Sequence, residues 1–135
     1  MKKKVATIIL NRNLGKVTDQ LYKKIMINNG SYTDIFVVDA GSINKNKSKY
    51  TTWTSSWKSA KKKGLRFGRG MNYALSNMFK EKKFYNYKYF FLITNDTILQ
   101  NKPIIKKLVE LMNSNPKVAI LSPCSQKWGE KNLLK

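Results

Sequence analysis

The sequence predicts an α/β fold built on a mainly parallel sheet with helices on both faces. Four short apolar runs, at 5–10, 35–39, 88–94 and 118–121, have the composition of strands that are buried on both faces. Segments with a helical spacing of apolar residues separate several of these runs. Strands that alternate with helices imply right-handed crossovers and a parallel sheet.

The helical segments follow from the periodicity and from turn-forming residues. Three helices are predicted: over about 17–27, from the glycine-bearing turn GLRFGRGMN through Phe79, and from Pro103 to Met112. Thr18 or Asp19 could cap or charge the first turn of the first of them. The stretch 43–63 is polar, basic and poorly periodic, and it predicts a long connection with one helical turn at most.

Length and composition bound the class of protein. The 135 residues, 41% of them apolar, suit one domain with its own core, and no apolar run is long enough to span a bilayer. The start, MKKKVATIILN, is interpreted as a strand rather than a signal peptide, because the apolar run ends at Asn11 without a cleavage site. With Cys124 as the single cysteine and no histidine, a disulfide, thiol catalysis and a zinc site lose support. A cytoplasmic location is the default expectation.

The net charge of +20 is unevenly distributed. No acidic residue occurs between Ala40 and Lys80, where nine basic residues accumulate: Lys45, Lys47, Lys49, Lys58, Lys61, Lys62, Lys63, Arg66 and Arg69. Such a field attracts a nucleic acid, a diphosphate or an anionic membrane surface, and charge alone does not choose among them. A merely solvated lysine surface is an equal alternative.

Polar residues follow three of the predicted strands. Asn11 and Asn13 come after the first, Asp39 ends the second and Asp96 follows the third. Ligands of open parallel sheets bind beyond the carboxyl ends of the strands, so these side chains are candidate site residues. The alternative is that each is an ordinary turn former.

Five segments, in this order, resemble the successive motifs of the family-2 glycosyltransferases of GT-A fold: VATIILNRN, DIFVVDAGS, GLRFGRGMN, YFFLITNDT and NPKVAILSP. The resemblance extends from Val5 to about Pro123. It implies a Rossmann-like sheet of GT-A type and an inverting glycosyltransferase. The implied donor is a pyrimidine nucleoside diphosphate sugar, either a UDP- or a dTDP-sugar.

The resemblance also implies roles for individual residues. It assigns nucleotide-sugar binding to Asn11, Asn13, Asp39, Gly41, Ser42, Gly68, Arg69, Asn72 and Asn95. Asp39 would accept a hydrogen bond from the imide N–H of uracil or thymine. Gly68 and Gly70 would let the backbone pass close to the ligand. Arg69 would pair with the diphosphate, although the family more often places its arginine where this chain has Met71.

Asp96 is the metal ligand that the resemblance implies. A divalent Mg²⁺ or Mn²⁺ would bridge this carboxylate and the donor's diphosphate. Many members use two carboxylates at this strand end, whereas Thr94-Asn95-Asp96 supplies one. A weaker metal site is therefore expected.

The catalytic base is not identified. After Asp96 the only acidic residues are Glu110 and Glu130, so residues 1–135 are expected to form one donor-binding domain without the acceptor-binding part. Two alternatives stay open, namely a non-catalytic remnant or fragment that needs a partner and a basic nucleic-acid-binding module. The second is disfavoured by the buried strands and by the absence of a nucleic-acid motif.

Two further interpretations concern the basic stretch. Trp53 and Trp57, four positions apart, could stack on a sugar or a base, but packing of one helix onto the core is favoured. The lysines could hold the protein at the inner face of an anionic membrane.

Overall fold

One sheet organises the chain in a computed structural model that describes residues 4–122. Its four strands lie in the order β3-β2-β1-β4, and every neighbouring pair is parallel. The strands are β1 (Val5–Asn11), β2 (Thr33–Asp39), β3 (Thr51–Thr54) and β4 (Tyr89–Thr94). The predicted parallel α/β fold of Rossmann-like type is confirmed.

Helices cover both faces of the sheet, as predicted. They are α1 (Gly15–Asn29), α2 (Lys58–Lys63), α3 (Phe67–Lys80) and α4 (Ile104–Ser114). On one face Met71 and Met78 of α3 pack against alternate side chains of β1 and β2. On the other face Ile25 of α1 and Ile105 of α4 pack against the intervening side chains. All seven residues of β1 are buried because both of its faces are covered.

The helix α1 presents a slightly different face from the predicted one. Leu21 and Ile25 are buried as the periodicity predicted, but Val17 is 40% exposed. Thr18 takes the inward position in the first turn and is fully buried. A polar side chain therefore lies where an apolar one was expected, directly below the carboxyl end of β1.

Strand β3 was not predicted, because its sequence carries no apolar run. Thr51–Thr54 pairs with the end of β2, and Trp53 is its one buried residue. A short edge strand needs only one side chain in the core. Because the surrounding segment is polar and rich in lysine, its sequence predicted a connection rather than a strand.

The predicted strand at 118–121 is wrong. This segment forms no strand and pairs with none of the four strands of the sheet. Together with Phe90–Leu92 of β4, Ala119–Ser122 lines a groove of about 570 Å³. Ile120 is 86% exposed. Pro123, Cys124 and Glu130 lie outside the described residues. Within 4–122, no helix has the length and apolarity needed to cross a membrane.

Candidate functional site

The strand order creates a crevice at the carboxyl edge of the sheet. From β1 the chain proceeds outward to β2 and β3, and β4 then returns to the other side of β1. The chain leaves β1 toward one side of the sheet and enters β4 on the other side. Open α/β sheets bind ligands at such a reversal of the strand order. Asn11 is the last residue of β1, and Asn95 comes directly after β4. The backbone N–H of Asn95 donates to the carbonyl of Leu10 at 3.2 Å, which places Asn95 next to the end of β1.

Three of the predicted site residues form a buried row across the sheet. Asp39, Asn11 and Asn95 each lie two positions after a core residue of the α1 face, so strand alternation turns all three toward α1. The Asn11 Nδ2 donates to Asp39 Oδ1 at 3.3 Å, and the Asn95 Nδ2 donates to Asn11 Oδ1 at 3.1 Å. Asn11 therefore connects the ends of β2 and β4.

Thr18 completes this row, although nothing in the sequence pattern indicated that role. Its hydroxyl donates to Asn11 Oδ1 at 2.9 Å or to the Leu14 carbonyl at 3.0 Å, and it accepts from Asn95 Nδ2 at 3.3 Å. The sequence assigned Thr18 to helix capping. Thr18 lies three residues before Leu21, and its inward position could have been found only by shifting the predicted helical face by one residue.

Asp39 is held entirely within the protein. Its side chain is 0% exposed, and Oδ2 accepts from the backbone N–H of Ser42 at 3.0 Å while Oδ1 accepts from Asn11. Both carboxylate oxygens thus have protein donors. A ligand that contacts this carboxylate has to replace one of them.

The loops after β1 and β2 are tied to each other. The Asn13 N–H donates to Ser42 Oγ at 2.8 Å, and the Ile43 N–H donates to Asn13 Oδ1 at 3.0 Å. Gly41 directly precedes Ser42 and has φ +86. A Cβ at Gly41 would lie 2.2 Å from the carbonyl oxygen of Ala60. Asn13, Gly41 and Ser42, all predicted site residues, are therefore brought together at the rim of the crevice.

The amino-terminal turn of α3 contains the other predicted residues. Gly68 is exposed, and a Cβ there would meet nothing within 4 Å, so its backbone is accessible to a ligand. Gly70 has a packing role instead, because a Cβ there would lie 2.3 Å from Leu10 Cδ1. Arg69 and Asn72 line a groove of about 310 Å³ between α2 and α3, apart from the buried row.

Arg12 connects the end of β1 to this groove, and the sequence analysis gave it no role. Its guanidinium donates to the carbonyl of Lys63, which lines the groove together with Arg69. Its position directly after the Asn11 strand end was the available signal. The structure thus adds a third cation to Lys63 and Arg69 at this end of the molecule.

Asp96 is exposed, unlike Asn95 beside it, and its carboxylate accepts a hydrogen bond from the Thr94 hydroxyl. In the part of the chain that the structure describes, no group of three or more His, Cys, Asp or Glu side chains could hold a metal ion. One carboxylate fits only a cation that takes most of its ligands from a diphosphate and from water, as Mg²⁺ commonly does.

The two tryptophans have different environments. Trp53 is buried in β3, stacks on Phe36 at 5.3 Å between ring centroids, and donates from Nε1 to Glu81 at 2.7 Å. Trp57 precedes α2, is 43% exposed and meets Tyr73 edge-on at 5.3 Å. The expectation that both pack one helix onto the core is wrong, because only Trp53 is a core residue and it lies in a strand.

Fold and crevice define a Rossmann-like α/β protein with a polar carboxyl edge. Searches of protein-family models, curated proteins and solved structures found no match to this chain.

Proposed function

We propose that this chain is the donor-binding domain of an inverting glycosyltransferase of GT-A type, which binds a UDP- or dTDP-sugar together with Mg²⁺ or Mn²⁺. The observation that carries the proposal is the buried row of Asn11, Asp39 and Asn95 at the switch point of the sheet, with the exposed Asp96 directly after Asn95 in sequence. The order of the sequence motifs supports the same function. An exposed carboxylate beside a buried polar row suits a ligand with a metal-bound diphosphate and a hydrogen-bonding base.

The base is recognised by an exchange of donors at Asp39. The bond from Asn11 Nδ2 is long, at 3.3 Å, and the imide N–H of uracil or thymine takes its place at Oδ1. The freed amide of Asn11 then donates to a carbonyl of the base. One hydrogen bond to the carboxylate is replaced by another, so no charged group is left unpaired.

The diphosphate lies between the cations and Asp96. Gly68 offers accessible backbone at the start of α3, and the Arg12 and Arg69 guanidinium groups supply positive charge. Asp96 would hold the divalent cation, which would supply Lewis-acid neutralisation of the departing nucleoside diphosphate. Anionic groups are also favoured near a helix amino terminus.

Sugar transfer also needs a general base. At the carboxyl edge Asp39 and Asp96 are assigned to the donor, and Asp19 accepts hydrogen bonds from the Ser48 hydroxyl and the Lys49 N–H. In residues 97–122 the only acidic side chain is Glu110, which lies on α4 and pairs with Lys106 at 3.9 Å. Donor binding is thus the part of the activity that this chain's own residues support. The base is assigned to an acceptor-binding part or to a partner chain, so a non-catalytic donor-binding subunit is the second candidate.

Calorimetric titration with UDP, dTDP, GDP and ADP, each with Mn²⁺ and with chelator, tests the proposal. The pyrimidine nucleotides should bind more tightly than the purine nucleotides, and Mn²⁺ should increase their affinity. Equal affinity for all four, or no binding of UDP and dTDP, would contradict it. Hydrolysis of a UDP-sugar by the purified chain would separate the enzyme from the binding subunit.

A further inference from the structure

Exposed apolar side chains surround the carboxyl edge of the sheet. Leu14 follows β1, Ile43 follows β2, Trp57 follows β3 and Ile98 follows β4, and these four residues are here called the apolar rim. Their exposed fractions are 48%, 52%, 43% and 93%. Because all four strands are parallel, the loops after them lie at the same edge. One end of the molecule thus presents an apolar side chain on every loop.

Cations are interspersed with the apolar rim. Exposed basic residues of these loops and of the helices α1, α2 and α3 that start there include Arg12, Lys16, Lys45, Lys49, Lys58, Lys61, Lys62, Lys63, Arg66 and Arg69. Three acidic residues lie at the same end. Asp39 is fully buried, Asp19 accepts hydrogen bonds from the Ser48 hydroxyl and the Lys49 N–H, and Asp96 is exposed. The excess of positive charge at this edge is therefore large.

We infer that this edge docks on an anionic lipid bilayer. Aliphatic and indole side chains gain free energy by entering the boundary between headgroups and acyl chains, and lysines next to them pair with anionic headgroups. A nucleic acid would engage the lysines, but it offers nothing to exposed Leu and Ile side chains. The mixture of cations with Leu14, Ile43 and Ile98 therefore favours lipid.

The docked orientation follows from the topology. The strands point their carboxyl ends at the bilayer. Trp57 of the rim also lines the groove of Arg69. The residues substituted to test docking, Ile43, Ile98, Lys61 and Lys62, belong neither to the buried row nor to that groove. Loss of one function should leave the other measurable.

Sedimentation with phosphatidylcholine vesicles, with and without about one third phosphatidylglycerol, tests this inference. Binding should require the anionic lipid and weaken as salt rises, because exposed charges are screened beyond about 8 Å at physiological ionic strength. Lys61→Gln with Lys62→Gln should lower the partition coefficient by tenfold or more, on the order of fivefold per lysine. The matched control is Lys80→Gln with Lys107→Gln, which removes the same charge from other exposed positions and should change it far less.

A second matched pair of double variants tests the contribution of the apolar rim to vesicle binding. Ile43→Asn with Ile98→Asn should weaken vesicle binding by about tenfold or more. Met26→Asn with Ile27→Asn, which changes side chains 41% and 83% exposed in the last turn of α1, should not. In a Trp128→Phe background, Trp57 fluorescence should shift to shorter wavelength on vesicle binding, since Trp53 is already buried.

Three results would overturn the inference. One is equal binding to neutral and anionic vesicles. Another is anionic binding that is unaffected by Ile43→Asn with Ile98→Asn and produces no Trp57 shift, since that describes charge attraction without insertion. The third is displacement of the protein from vesicles by a short DNA duplex that binds more tightly, which would make nucleic acid the partner. Urea denaturation of each variant checks that it is folded.

Discussion

The side-chain amide of Asn11 donates to the carboxylate of Asp39 across the β1–β2 pair, at 3.3 Å between Nδ2 and Oδ1. The two residues are also register partners, so both strands end at this bond. The other carboxylate oxygen of Asp39 accepts from the Ser42 N–H, which shapes the following loop. Asp39 therefore supports the fold at the same place where the base is proposed to bind.

A first prediction is that Asp39→Ala destabilises the protein. It leaves the Ser42 N–H and the Asn11 amide without their acceptor in a site that is 0% exposed. The free energy of unfolding, measured by urea denaturation, should fall by about 2–4 kcal/mol. Asp96→Ala is the control and should change it by less than about 0.5 kcal/mol, because Asp96 is exposed. Equal stability of both variants and the wild type would contradict a structural role for Asp39.

The second prediction concerns Thr18, the residue below Asn11. Thr18→Val keeps the shape of the side chain but removes the hydroxyl that contacts Asn11 and Asn95. Unfolding free energy should fall by about 1–3 kcal/mol, since the buried amides lose a partner. Thr18→Ser retains the hydroxyl and should lose less. If Thr18→Ser were the more damaging change, methyl packing rather than hydrogen bonding would determine this position.

Two glycines at the crevice should respond in opposite ways. Gly41→Ala should lower the unfolding free energy by about 2–4 kcal/mol, because φ is +86 and the new Cβ would lie 2.2 Å from the Ala60 carbonyl. Gly68→Ala meets nothing within 4 Å and should raise it by about 0.5–1 kcal/mol.

The same Gly68→Ala variant also tests the diphosphate position. If the ligand passes close to this backbone, UDP should bind more weakly to the stabilised variant, while uridine binding should stay unchanged. UDP affinity equal to that of the wild type would remove Gly68 from the site.

The sequence predicted the parts of the fold that carry strong apolar patterns. β1 and the part 35–38 of β2 are continuous apolar runs, as expected of parallel strands that are covered on both faces. β4 is also apolar, although it is an edge strand in which only Ile93 is buried. β3 was not predicted, because a short edge strand needs only one buried residue, here Trp53, and therefore has no apolar run. The wrong strand at 118–121 has the right composition, but composition does not reveal whether a neighbouring edge is within reach.

The candidate site was predictable to a similar extent. Strand-end position alone identified Asn11, Asp39 and Asp96, because parallel strands bring such residues to one edge. The internal pairing of Asp39 was not predictable, since burial depends on loops whose course the sequence does not specify. Arg12 and Thr18 were missed because their roles depend on contacts with Lys63 and Asn95, far away in sequence.

The alkaline limit of stability should depend on Tyr87. Burial and the hydrogen bond to Asp34 raise the pKa of Tyr87 to about 12, from an ordinary 10.0. Its stabilising contribution is therefore complete below about pH 10 and is lost as the pH rises through about 12. Tyr87→Phe should show a smaller loss of stability over that interval than the wild type. Tyr85→Phe, at a position 76% exposed, is the control and should follow the wild-type curve.

The central claim, that a metal-bound nucleoside diphosphate occupies the carboxyl edge, is tested most directly at Asp96. Asp96→Asn preserves size and polarity but removes the charge that a hard cation requires. Calorimetric titration of uridine and UDP, each with Mn²⁺ and with chelator, should show that the variant loses the Mn²⁺-dependent gain in UDP affinity and keeps the wild-type affinity for uridine. A variant that retains the full Mn²⁺-dependent gain, or a wild type that shows none, would contradict the metal-bound donor site.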